Sequence, residues 1–164
     1  MQRICLLAVV LACAAFGAAT ASAQGRLEPG EWERSTTTEI PGSYAGPIQD
    51  TGRDCYTSAD TKIYADKDTW AADMIAATEG PNCKAKDLKQ EGTALSVTLV
   101  CDEGIRMDIR HDFHGTTGTM DTQMWHGSEK NAKSHVEMKR IAEKCSPETI
   151  ESWKHWHKGQ EFAP

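Results

Sequence analysis

The sequence predicts a mainly β domain of the α+β class: a single curved antiparallel sheet meander of about six to seven strands, with a short helical insertion, a C-terminal helix and two disulfides. Three observations carry that prediction. Apolar and polar residues alternate over most of the second half of the chain, short glycine-bearing turns separate the alternating runs, and four cysteines follow an apolar leader.

The leader comes first. Arg3 precedes an apolar run from Ile4 to Ala19, which closes on Ala21-Ser22-Ala23 before Gln24, the layout of a secretory signal cleaved near Ala23. Residues 1–23 are therefore expected to be removed, leaving a periplasmic or secreted chain of one ordinary domain's length. Val10-Leu11-Ala12-Cys13 loosely resembles a lipoprotein processing box that would acylate Cys13. Leu11 suits such a box poorly and Ala14-Ala15-Phe16 continues the apolar run, so Cys5 and Cys13 are read as apolar fillers of the leader.

Charge limits the partners. With Arg3 set aside, the mature chain holds 17 basic against 24 acidic residues, a formal charge of −7. Bases and acids are interleaved, so the dense basic patch that a nucleic acid requires is missing. Nothing after the leader approaches the run of about 20 apolar residues that spans a membrane.

The elements follow in order. Glu31 to Ile40 alternates and is rich in threonine, which reads as a first strand after Pro29-Gly30, with Pro41 to Gly52 as a loop. Between Thr57 and Thr78 the spacing changes to three and four through Ile63, Tyr64, Trp70, Ala71, Met74, Ile75 and Ala77. Two short helices are expected there, capped by Ser58 and Asp66. Strand alternation resumes with Leu95, Val97, Leu99 and Cys101. It is clearest where Ile105, Met107, Ile109, His111 and Phe113 face Arg106, Asp108, Arg110, Asp112 and His114 across one strand. Thr119 to Trp125 sets Met120, Thr122 and Met124 against polar partners and Trp125, and residues 131–141 repeat the pattern through Val136 and Met138. Turns fall at Glu91-Gly92, Asp102-Glu103-Gly104, Gly115 to Gly118 and Gly127-Ser128, short enough for an antiparallel meander. The residues from 146 to 164 form a helical tail, with Ser146 as N-cap, Pro147 in the first position and Gly159 as terminator. Residues 24–145 are then the disulfide-stapled β domain.

The cysteine pairing comes from register. If Lys84 to Gln90 pairs with Thr93 to Val100 around Gly92, opposed residues have numbers summing to 184, a condition that Cys83 and Cys101 meet. Opposed strand residues hold their Cβ atoms roughly 4.5 to 5.5 Å apart, within reach of a bridge. Cys55 and Cys145 are left for each other. The longer loop contributes about 4 to 5 kcal/mol on the chain-entropy description, against about 3 for the shorter. No C-x-x-C spacing points to redox chemistry.

Several segments together resemble one family. Pro29-Gly30-Glu31-Trp32-Glu33, the strand ending Ile40-Pro41-Gly42, Cys55-Tyr56-Thr57-Ser58, the Asn82-Cys83 hairpin closing at Val100-Cys101, and Lys139-Arg140-Ile141-Ala142-Glu143-Lys144-Cys145 are similar to the exported bacterial family known as domain of unknown function 3617. The resemblance covers about residues 27–145. It implies a secreted or periplasmic, mostly antiparallel β domain and brings no established activity or catalytic residue. The tail with Trp153, His155, Trp156 and His157 reads as an addition.

No catalytic, metal or cofactor site is read from the chain. His111 and His114 point to opposite faces of a strand, and His155 and His157 lie about 200° apart on a helix, so neither pair chelates one ion; only an extended tail would turn His155 and His157 the same way and allow adventitious copper or zinc binding. Asp108 and Asp112 alternate with Arg106 and Arg110 as a solvated ladder worth under about 1 kcal/mol per pair. There is no G-x-S-x-G elbow, no phosphate-cradling glycine motif and no spare cysteine nucleophile. The remaining lead is apolar. If the sheet curls enough to leave a groove, Trp32, Met107, Ile109, Met120, Met124, Trp125 and Met138 would line it and suit an apolar small molecule or an envelope protein. Otherwise the same residues fill a core. The expected function is thus a non-catalytic binding module for an apolar or amphipathic ligand. The other readings are a structural or protein-interaction module using the Trp-rich tail, and a hydrolase, which would need an ionisable pair buried in a cleft.

Overall fold

The structure, a computed structural model, describes residues 26–78, 82–157 and 162. The expected signal segment, Cys13 and the expected helix terminator Gly159 lie outside the described residues. Seven strands and three helices run in the order β1 (Gly30–Glu39), β2 (Ile48–Tyr56), α1 (Ser58–Ile63), α2 (Lys67–Ala77), β3 (Cys83–Glu91), β4 (Ala94–Cys101), β5 (Ile105–Phe113), β6 (Thr117–His126), β7 (Glu129–Ala142) and α3 (Pro147–Trp156). The strands form one antiparallel sheet in the order β2-β1-β7-β6-β5-β4-β3. Strands β3 to β7 are the expected meander. The first hairpin docks at its far side, with β1 paired to β7.

Strand β2 corrects the sequence reading, which placed a loop from Pro41 to Gly52. The segment Ile48–Tyr56 lacks alternation because it is an edge strand, exposed along most of its length. Its pairing to β1, from Gly30↔Tyr56 to Thr38↔Ile48, makes it a strand. The helix caps shift as well. Thr57, not Ser58, is the N-cap of α1, and Asp60 completes a capping box with it. Asp66 caps α2 as its spacing implied, accepting from Thr69 N at 2.8 Å.

Because β2 and β3 lie on opposite edges, residues 57–82 must cross one face of the sheet, and α1 and α2 cover that face as they go. The covered side receives the odd residues of β4 and β5 and the even residues of β6, β7 and β1, as the registers Leu99↔Met107, Met107↔Met124 and Met120↔Val136 require. Two cores result. In one, Trp70 of α2 is fully buried against Leu95, Val97, Leu99 and Ile109. In the other, Leu27, Trp32, Phe113 and Met138 pack together. Tyr64, in the turn after α1, touches both. Full burial of each tryptophan removes about 150–250 Å² from water, more than any aliphatic side chain beside it.

The opposite face keeps its charges in water. Arg106 pairs with Asp108 at 3.3 Å and Arg110 with Asp112 at 3.5 Å, as the alternating signs implied. Trp125, expected in the groove, belongs to this face. Its ring lies 4.4 Å beneath the Arg106 guanidinium and its Nε1 donates to Asp108 at 3.1 Å.

Both disulfides form as paired from the sequence, Cys55–Cys145 with Cα atoms 5.6 Å apart and Cys83–Cys101 with Cα atoms 3.9 Å apart. The second depends on a bulge. From Glu91↔Ala94 to Lys89↔Ser96 partner numbers sum to 185, and only beyond Asp87 and Leu88 does the sum become 184. Asp87 adopts a left-handed backbone (φ 51°), which absorbs the extra residue and turns Leu88, rather than Asp87, onto the covered face.

Gly118 fits a close approach. A Cβ there would lie 2.4 Å from Phe113 Cδ1, and Phe113 is held inside the second core. Gly118→Ala is therefore expected to cost about 1–3 kcal/mol of stability, measured as a lower urea midpoint at unchanged slope. Adding Phe113→Leu should recover part of that loss, and strict additivity would show that the clash is not the cause.

Candidate functional site

The third helix roofs the end of the covered face that α1 and α2 leave open. Pro147 starts it, Ser146 caps it, and Glu31, itself buried, accepts the Ser146 N–H at 2.6 Å to fix where it begins. Its inward face presents Trp153, which is 5 % exposed.

Between α3 and the sheet lie two adjoining hollows. The first, about 410 Å³, has a floor of Met120, Val136 and Met138, with Arg34 and Asp54 along one side and Trp153 above. The second, about 260 Å³, is walled by Tyr56, Tyr64, Asp60, Asp73 and His157. Tyr56 and His157 border both. A third hollow, of about 360 Å³, lies beyond Tyr56 among Pro29, Ile150 and Phe162. A larger depression of about 580 Å³ runs over the opposite face among Glu33, Ser35, Thr119, Glu137 and Lys139.

Asp60 organises the junction. Its Oδ2 accepts from Thr57 N at 2.6 Å, from Thr57 Oγ1 at 2.8 Å and from Trp153 Nε1 at 3.1 Å, so one buried carboxylate oxygen ties the start of α1 to α3. His157 stacks on Trp153, with ring centroids 4.2 Å apart and planes 8° off parallel. Its Nδ1 lies 2.9 Å from the Trp153 carbonyl oxygen, which can only accept, so Nδ1 carries a proton. Nε2 lies 3.7 Å from Asp60 Oδ1. Nδ1 is thereby committed to the backbone, and Nε2 is directed toward Asp60 without reaching hydrogen-bond length. Thr57 Oγ1 is spent within the capping box.

The walls are electrostatically uneven. Arg34 reaches Asp54 at 3.0 Å and Asp50 at 3.4 Å. Burial raises the Asp54 carboxyl above the usual range even so, with Arg34 opposing it. Burial also raises Asp73, and the charge of Asp60 adds to the effect. Both phenols are pushed up by burial, Tyr56 strongly.

On the other side of Tyr64, its ring 5.9 Å from that of Tyr64, His111 is buried in the core. Its Nδ1 accepts from Trp70 Nε1 at 3.1 Å, the acceptor that a buried indole requires, which assigns the proton to Nε2. Burial lowers the imidazole to about 4. His114, by contrast, is exposed beside Asp112 at 3.2 Å, consistent with opposite faces.

The residues expected to line a groove divide. Met120 and Met138 do line the first hollow. Met107 packs on the Trp70 core and Met124 stands opposite it on the covered face, half-buried. Trp32 and Ile109 are core, and Trp125 lies on the other side of the sheet. Sequence reasoning passed over Arg34, Asp54, Tyr56, Asp60, Tyr64, Asp73 and His157 as site residues. The Thr57-x-x-Asp60 spacing was the one legible signal.

The described residues form a helix-covered, seven-stranded antiparallel sheet, stapled by two disulfides and hollow beneath its last helix. The chain belongs to a family of proteins of unknown function, DUF3617, which it matches over residues 27–145. No curated protein matches it. The family match ends at Cys145, so α3, the roof of the hollows, lies outside the matched residues.

His111 generates a pH dependence. Its folded value of about 4 lies below the ordinary 6.5, so between those values the unfolded chain binds more protons. Its contribution is complete above pH 6.5 and lost on acidification toward pH 4, by about 3 kcal/mol in total. Urea melts across that range should show the decline. His111→Gln, which keeps an acceptor for Trp70, should flatten it, and an unchanged slope would assign the acid sensitivity elsewhere.

Proposed function

We propose that this chain is an exported, non-catalytic binding protein that holds an apolar or amphipathic ligand between α3 and the sheet. The observation that carries the reading is the hollow of about 410 Å³ over Met120, Val136 and Met138, which α3 roofs without filling. An apolar floor bordered by a few convergent polar groups is the usual form of a small-molecule site. Methionines suit it, because their unbranched, polarisable side chains adapt to different shapes. Commitment of Thr57 to the capping box with Asp60, and of His157 Nδ1 to the Trp153 carbonyl, supports binding over catalysis. Trp153 is consumed by the contact with Asp60 and His157, so a partner-binding role for an exposed tail draws no support from it. Export rests on the leader layout and on two disulfides suited to an oxidising compartment.

Two measurements check this reading. The purified protein should take up the neutral fluorophore N-phenyl-1-naphthylamine, and Val136→Trp, which fills the hollow, should weaken uptake by about ten-fold or more with the circular dichroism spectrum retained. Equal uptake by both proteins would reject the hollow as the site. Amino-terminal sequencing of the chain recovered from the periplasmic fraction should begin at Gln24, and recovery from the cytoplasm with residues 1–23 attached would reject export.

A further inference from the structure

The walls of the second hollow say what kind of head group the ligand carries. Two carboxylates face it, Asp60 and Asp73, with the rings of Tyr56 and Tyr64 beside them. Asp60 Oδ2 is saturated by three donors, whereas Oδ1 has only His157 Nε2 at 3.7 Å, beyond hydrogen-bond length. Asp73 makes no hydrogen bond or ion pair with another described residue, and the hydroxyls of Tyr56 and Tyr64 have no partner among the described residues. Arg34, the permanent cation nearby, lines the first hollow and is engaged by Asp50 and Asp54. The second hollow therefore offers carboxylate oxygens and two phenol side chains, with His157 as the one titratable base and no Lys or Arg on its walls.

We propose that the two hollows together form a recognition site for an organic ammonium ion on an apolar stem, the head among Tyr56, Tyr64, Asp60 and Asp73 and the stem over Met120 and Val136. The inference rests on the binding reading above and adds the charge of the ligand. A tetraalkylammonium head is weakly hydrated, so it loses little on leaving water and gains from aromatic faces and carboxylates together. An anionic head would meet Asp54, Asp60 and Asp73 at short range where water is partly excluded. Burial is the main cause that raises the Asp73 carboxyl; the charge of Asp60 adds to it and His157 opposes it, and a bound cation would offset the repulsion from Asp60.

Titration calorimetry of the intact protein with three ligands sharing one stem tests it: octyltrimethylammonium, 1-octanol and octyl sulfate. The cation is expected to bind about ten-fold or more tighter than the alcohol, and the sulfate weakest. Asp73→Asn should cut the preference for the cation over the alcohol by about five-fold. High salt should narrow the wild-type preference. Equal affinity for all three, or a preference for the sulfate, overturns the cation site while leaving the apolar site standing. Failure of all three to bind overturns both readings, and a cation preference untouched by Asp73→Asn overturns the assignment of the head group to this hollow.

Discussion

The pairing of β1 with β7 is the constraint from which the rest of the molecule follows. Once the first hairpin occupies one side of the sheet, β2 and β3 stand at opposite edges, and the chain between them has to traverse a face. That traverse converts an open sheet into a two-layer domain. Helix α2 brings Trp70 down on β4 and β5, and the turn after α1 sets Tyr64 between the two cores. The face gains cover where the helices pass and lacks it beside β1, β2 and β7, where α3 arrives as a separate roof. A hollow beneath that roof is the geometric remainder of covering seven strands with helices of six, eleven and ten residues.

A charge at that seam needs explanation, because taking a carboxylate out of water is costly unless donors replace the solvent. Asp60 is nearly enclosed, yet one of its oxygens accepts three hydrogen bonds, two from its own capping box and one from an indole 93 residues away in sequence. Local helix-cap chemistry thus doubles as the tertiary link between α1 and α3. The Cys55–Cys145 bridge works across the same seam, joining the end of β2 to the residue before the cap of α3. Covalent and polar links converge where apolar packing is thinnest.

Much of the fold was legible because the covered face imposes period two on β4 to β7, and turns bearing Gly92, Gly104, Gly115 and Gly127 in left-handed conformations punctuate it. Failures had local causes. Strand β2 showed no alternation because an edge strand with solvated residues buries almost nothing. Trp125 looked like groove lining because large aromatic residues are expected inside, whereas its strand parity sends it outward to lie beneath Arg106. The Cys83–Cys101 pairing followed from a register that holds at the cysteines and not at the turn, and a bulge at Asp87 and Leu88 reconciles the two. Alternation alone would have put Asp87 on the covered face. The bulge exchanges it for a leucine.

The candidate site was far less legible than the scaffold. Met120 and Met138 could be assigned to the covered face by parity alone, since alternation is a property of neighbouring residues. Tyr56, Asp60, Tyr64, Asp73, Trp153 and His157 belong to four separate segments of chain with no shared period or motif. What the sequence by itself determined was the strand character and sidedness of the meander, the presence of the helices and the disulfide partners, all written in short-range spacing. Which edge the first hairpin occupies, where the helices stop short, and which polar groups face the space left over were decided only in three dimensions, because they depend on contacts between segments as far as 115 residues apart, as in the Ser146 bond to Glu31, and on the Arg140 bond to Pro29 that seats the hairpin against β7.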